Sequence, residues 1–196
     1  MENQVNWDQI EAPKSNLSDK FLKLEAGGTY TVRLIKKPIA FWKYTVKRDN
    51  KFFVAITDNP SDSDFKLKHP ELRAAFRLAI LVLHREDSNK LKILEGPRAL
   101  FENFTVYHGM VGIDPGSNES GDFRIKVICP NGKKDKDTKY QVSPIKDKSK
   151  TPFTAEEKSY IKENIKDFNL EEIFVSQTPQ EIEKKLFNLS NSVDSD

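Results

Sequence analysis

Across residues 29–144, apolar side chains recur at every second position in short runs separated by turn residues. This period of two commits the central part of the chain to β-strands around one core. Tyr30, Val32 and Leu34 alternate with Thr31, Arg33 and Ile35 after the breaker Gly27-Gly28. Pro38 interrupts, and a second strand covers residues 39–47. Arg48, Asp49 and Asn50 make a tight turn, and Lys51–Thr57 returns as the hairpin partner. "AAFRLAILVLHRED" reads as a buried strand, with "LKILEG" following across a turn at residues 87–89. Phe123, Ile125 and Val127 alternate with Arg124, Lys126 and Ile128, and "TKYQVSPI" pairs back.

Other segments follow different rules. "TDNPSDSDFKLKHPEL" reads as a long polar loop, and "MVGIDPGSNESG" as a second loop. Pro97 suits the first turn of a helix running through "PRALFENFTVYHG", with Leu100, Phe101 and Phe104 on one face. Thr154 is a good N-cap, with Glu157 at the capping-box position, for a helix over "AEEKSYIKENI". Thr178-Pro179 opens a last helix through about residue 189. The pattern is mainly β: an OB-fold-like small antiparallel barrel with one inserted helix and a helical C-terminal extension. A sandwich with a helix is the alternative. The expected divisions are an N-terminal arm (1–20, anchored by Trp7 and Ile10) and an OB-fold-like nucleic-acid-binding domain (21–150). An acidic helical extension (151–189) and a disordered tail (190–196) complete them.

A chain of 196 residues is long enough for one sizeable core. Its one cysteine, Cys129, excludes an internal disulfide and fits a reducing compartment. No apolar run reaches the length of a membrane span, and "MENQVNWDQIEAPK" lacks the features of a signal peptide. The expectation is a soluble cytoplasmic protein without a membrane partner.

The net charge of +2 is unevenly distributed. Residues 29–150 hold 24 Lys/Arg against 15 Asp/Glu, a net +9, whereas residues 151–196 hold 5 against 10, a net −5. A basic body with an acidic C-terminal segment fits a polyanion-binding domain. The hairpin "IAFWKYTVKRDNKFFVAI" sharpens that reading, because it interleaves Phe41, Trp42, Tyr44, Phe52 and Phe53 with Lys43, Lys47, Arg48 and Lys51. Unpaired bases need flat rings to stack on and cations for their phosphates. In an ideal alternation Phe41, Lys43 and Lys47 face outward while Trp42 and Tyr44 face the core. The alternative is an amphipathic hairpin whose Phe41 is covered by another element. Candidate phosphate contacts are Arg33, Lys36, Lys37, Lys43, Lys47, Arg48, Arg124, Lys126 and Lys139. Candidate stacking rings are Phe41, Phe52 or Phe53, with Trp42, Tyr44 and Tyr140 as further candidates.

Catalytic signatures are missing. There is no phosphate-binding loop ending in Lys-Ser/Thr, His69, His84, His108 and Cys129 lack zinc spacing, and no nucleophile motif occurs. Glu86 and Asp87 sit in a charged turn beside Arg85. The expectation is a non-enzymatic protein without cofactor or metal.

The segments "AFRLAILVLHREDSNKLKILEGPRALFENF", "GDFRIKV" and "DTKYQVSPI" resemble the bacteriophage single-stranded DNA-binding proteins with an OB-fold core, over residues 78–144. The resemblance implies non-sequence-specific binding of single-stranded DNA in phage DNA replication, recombination and repair, in the host cell cytoplasm. It also implies recruitment of replication or recombination enzymes through an acidic C-terminal segment. Two departures matter: one cysteine cannot supply the zinc subdomain of the T4-type helix-destabilising proteins, and "SVDSD" is only weakly acidic. A homo-oligomer is compatible with the sequence. Competing readings are an RNA-binding or RNA-chaperone OB protein, a virion or scaffold protein, and a nuclease.

Overall fold

The computed structural model describes residues 17–145 and 152–187. Trp7, Ile10, residues 146–151 and the tail from residue 190 therefore lie outside the described residues. The elements run β1 (Thr29–Arg48), β2 (Lys51–Thr57), α1 (Ser63–Lys68), β3 (Ala75–His84), β4 (Lys90–Pro97), α2 (Arg98–Val111), β5 (Phe123–Ile128), β6 (Lys139–Pro144), α3 (Ala155–Asn164), α4 (Leu170–Ile173) and α5 (Pro179–Phe187). The strands form one antiparallel sheet in the order β4-β3-β1-β5-β6, with β2 also paired to β1. The fold is mainly β and barrel-like, with α2 inserted before the last two strands and a helical C-terminal extension.

The two expected N-terminal strands are one strand of 20 residues. Pro38 does not end it. The register with β3 jumps between Ile35 and Ile39, and Lys36 takes a left-handed conformation with φ of 67°. Residues 36–38 therefore bulge, which is where a proline is tolerated within a sheet. The second loop braces the bulge. A Cβ at Gly116 would collide with the Lys36 carbonyl oxygen, so only glycine permits this approach. The β1–β2 turn places Asp49 and Asn50 at φ of 47° and 59°, the pattern of a two-residue hairpin turn with both central residues left-handed. Within the expected polar loop, Asp62 caps the short helix α1 by accepting the Phe65 amide.

The sheet buries side chains on both faces. On the inner face Val32, Leu34, Ile80, Val82, Leu94, Phe123, Ile125 and Val127 pack with Leu100, Phe101 and Phe104 of α2. Helix α2 reaches across to β6, where Asn103 Nδ2 donates to the Tyr140 carbonyl at 3.3 Å. On the outer face Ile35, Phe41, Ile56, Ala79, Leu81, Leu83, Leu91 and Ile93 form a second cluster. The C-terminal extension covers that cluster with Phe153, Ile161, Ile165, Phe168, Leu170, Ile173 and Phe174. The chain then rounds the free edge of β2: Gln177 N donates to the Ile56 carbonyl at 2.9 Å, and the Ile56 amide donates to Gln177 Oε1 at 3.1 Å. Helix α5 finally seats Ile182 and Leu186 against Tyr44, Ala55 and Phe65 on the inner face of the hairpin. The extension thus clamps the hairpin from both sides and pairs an edge that would otherwise be open.

An ion cluster fastens the clamp. Arg85 donates through Nε and Nη2 to both oxygens of buried Asp122, at 3.0 and 2.7 Å, and through Nη1 to Glu157 of α3. Glu157 also completes the expected capping box with Thr154. Removing one partner of such a group strands a buried charge. Arg85→Ala is expected to lower stability by about 3–5 kcal/mol in a denaturant titration. Acid acts on the same group. Burial alone would raise the Glu157 carboxyl, but the bonds from Arg85 and the Thr154 amide outweigh it and hold the group below its ordinary value of 4.5. A depressed carboxyl stabilises the fold above its unfolded value, and that contribution is lost as pH falls through the folded value. Wild type should lose more stability below pH 4.5 than Glu157→Gln does, measured by thermal melts along a pH series.

Candidate nucleic-acid interface

The structure divides the candidate residues among the core, two exposed patches and a cleft. Three belong to the core. Phe41 is buried and stacks on Phe174 with ring centroids 4.3 Å apart, so its expected outward position is corrected. The alternation placed it on the outer face, but that face is covered by the extension. Arg33 is 1% exposed: its guanidinium lies 4.6 Å from the Phe153 ring centroid, and Nη2 donates to the Asn118 carbonyl. Burial pulls it below its usual range despite the raising influence of Asp122. It is not a phosphate contact. Tyr44 is 2% exposed beneath α5 and packs on Phe65, which excludes it as a stacking platform; burial raises its hydroxyl. Lys43 is only partly exposed and is engaged by Glu95 at 2.6 Å.

Two patches remain on the surface. Arg124 and Lys126 project from β5 opposite Ser143 and Gln141, with Lys139 on β6 opposite Ile128. Tyr140 is partly buried against the inner core, and burial raises its hydroxyl. Lys47, Arg48, Phe52 and Phe53 cluster at the hairpin tip, where Phe52 is 68% exposed. These patches do not form one groove. The Arg124–Lys126 patch adjoins Thr29 and Thr31 at one end of β1, and the tip lies at the other. Between them on the outer face, Arg33, Ile35, Ile39 and Phe41 are roofed by the C-terminal extension.

The cleft lies on the opposite face. Helix α2 covers the inner face around Leu34 and Ile80, and α1 with α5 covers it around Tyr44. Neither roof reaches the strip between them. There Ala40 pairs with Leu78 and Trp42 with Phe76, all four on one face; Ala40 is exposed and the other three are half-buried. Trp42 and Phe76 meet edge to face, with centroids 5.2 Å apart. At one end the strip opens into a hollow of about 540 Å³ where Trp42 meets Lys66, Leu72 and Arg73. At the other it opens into a hollow of about 370 Å³ where Leu78 meets Lys36, Lys37, Phe101 and His108. Lys36, Lys37, Lys66 and Arg73 make no ion pair with a carboxylate among the described residues. A strip of two accessible rings with free cations at both ends can stack bases and neutralise phosphates without demanding base identity.

Sequence reasoning placed Lys36, Lys37 and Trp42 among the candidates but missed Lys66, Arg73 and Phe76. Lys66 lies in the segment read as a long polar loop, and Arg73 falls between that loop and the strand that follows. Phe76 lies near the start of a strand that reads as buried throughout, and only residues 79–83 of that strand are. A ring flanked by cations was the signal, present in "LRAAFR" as much as in the hairpin.

Among the described residues no group of His, Cys, Asp and Glu is arranged to hold a metal ion, and no helix is long and apolar enough to cross a membrane. No protein-family model and no curated protein sequence matches the chain. The fold therefore defines a class, a mainly β barrel-like domain with a clamping helical extension, and the functional reading rests on the surface chemistry.

Proposed function

We propose that this chain is a non-enzymatic protein that binds single-stranded DNA without sequence specificity. The observation that carries the reading is the cleft: Trp42 and Phe76 accessible side by side, with Lys36 and Lys37 beyond one end and Lys66 and Arg73 beyond the other. Its floor is strand, so the rings are held rigidly. The sequence resemblance to phage single-stranded DNA-binding proteins supports the same reading, and through it a role in phage DNA replication, recombination and repair. The patch of Arg124, Lys126 and Lys139 carries no exposed ring and serves as an auxiliary track for the backbone.

Salt dependence tests the reading. Each phosphate neutralised on a single strand contributes about −0.7 to the log–log slope, so four engaged cations give a slope of about −2.8 with an oligo-dT. Replacing Lys66 and Arg73 together by Ala is expected to make the slope shallower by about 1.4. Affinity that is independent of salt would exclude the cleft as a phosphate site. Matched RNA in competition should bind less tightly; tighter RNA binding would move the reading to an RNA-binding protein.

A further inference from the structure

The hairpin tip is separate from the cleft, and its construction is unlike a passive surface. We infer that it is a wedge that engages the junction between single-stranded and double-stranded DNA, a role that rests on the reading above. Each face of the tip carries its own cation–ring pair. On the outer face the Lys47 ammonium lies 5.9 Å from the centroid of Phe52. On the inner face the Arg48 guanidinium lies 4.3 Å from the centroid of Phe53. The register requires this division, because Lys47 sits directly opposite Phe52 and Val46 opposite Phe53.

Three further observations fit a duplex end. Phe52 is the only aromatic among the exposed large apolar side chains of the described residues. Arg48 Nε and Nη2 are enclosed and have no hydrogen-bond partner among the described residues, so no carboxylate there neutralises the guanidinium. The tip holds Lys47, Arg48 and Lys51 against the single carboxylate of Asp49.

The tip is also braced. Behind it Phe41 is stacked on Phe174, Tyr44 lies beneath α5, Ile56 of β2 is tied to Gln177, and Asp58 just after β2 is tied to Ser176. A two-residue turn with both φ angles positive adds little slack. A rigid protrusion ending in a ring can lie against the last base pair and hold it unstacked. The two parting backbones then meet a cation on either face. The strand on the inner face passes Arg48 and, about 20 Å further along β1, reaches Trp42 and the cleft.

The test compares a fluorescently labelled 20-nucleotide single strand, a fork that carries the same strand as its arm, and a blunt duplex. The fork carries 2-aminopurine at its last base pair. The full chain is expected to bind the fork about tenfold more tightly than the arm alone, with 2-aminopurine brightening as it unstacks. Phe52→Ala should remove that preference and the brightening while changing affinity for the arm less than about twofold, and Phe52→Trp should restore both. Equal binding of fork and arm by the wild-type chain, or a preference that survives Phe52→Ala, would overturn the wedge and leave single-strand binding standing. Absence of binding to the arm as well as the fork would overturn both.

Discussion

A chain ending at Lys150 is expected to lose its cooperative thermal transition. The truncation strips the outer face of Phe153, Ile165, Ile173 and Phe174, and removes Ile182 and Leu186 from the inner face of the hairpin. Ile182 and Leu186 are 2% and 0% exposed, so they belong to the core as fully as any strand residue. Losing a single buried Leu or Ile side chain costs about 2–5 kcal/mol, against a total stability of about 5–15 kcal/mol for a typical domain. Several such losses, together with the freed edge of β2 and the stranded Arg85–Asp122 pair, exceed what a domain holds. Circular dichroism on heating checks it: a truncated chain that melts as sharply and as high as the full chain would show the extension to be dispensable. The extension is therefore an integral part of the domain and not a loose acidic segment. Its apolar positions are committed to the sheet.

Replacing both Trp42 and Phe76 by Ala is expected to remove most of the affinity for single-stranded DNA. Stacking contributes about 1–3 kcal/mol per base, so two platforms represent about 2–6 kcal/mol, roughly a thirtyfold loss or more. Neither ring is buried, and the neighbouring core is anchored by Leu34, Ile80 and Tyr44 instead, so the thermal transition should shift little. Phe41→Ala should behave in the opposite way. It removes the partner of Phe174 and should lower stability by about 3–5 kcal/mol while leaving the cleft rings in place. Equilibrium binding and melting measured side by side separate the two patterns. Binding unchanged in the double variant would remove the cleft from the account.

Local rules made much of the fold legible. Alternation in β5 gave its inward and outward residues directly, and the capping box at Thr154, the positive-φ hairpin turn and the start of α2 near Pro97 all depend on residues within a few positions of one another. What was not legible depends on distant partners. Phe41 reads as a surface ring until Phe174 is laid on it, and Arg33 reads as a strand cation until Phe153 and the Asn118 carbonyl enclose it. Pro38 reads as a strand end because nothing nearby announces the bulge or the glycine that braces it. The cleft was half legible for the same reason. Its cations and rings are plain in the sequence, but which rings stay uncovered depends on where α1, α2 and α5 come to rest.

If Trp42 lies in a single-strand binding cleft, as proposed, its emission must respond to the bound strand. In a Trp7→Phe chain, Trp42 is the sole tryptophan, so its emission reports only the cleft. Adding oligo-dT at low salt should quench that emission saturably, and raising the salt should reverse the quench as the oligonucleotide leaves. Saturable binding of the oligonucleotide, seen by anisotropy of a label on the DNA, with Trp42 emission unchanged would contradict the account and place the binding site elsewhere on the molecule.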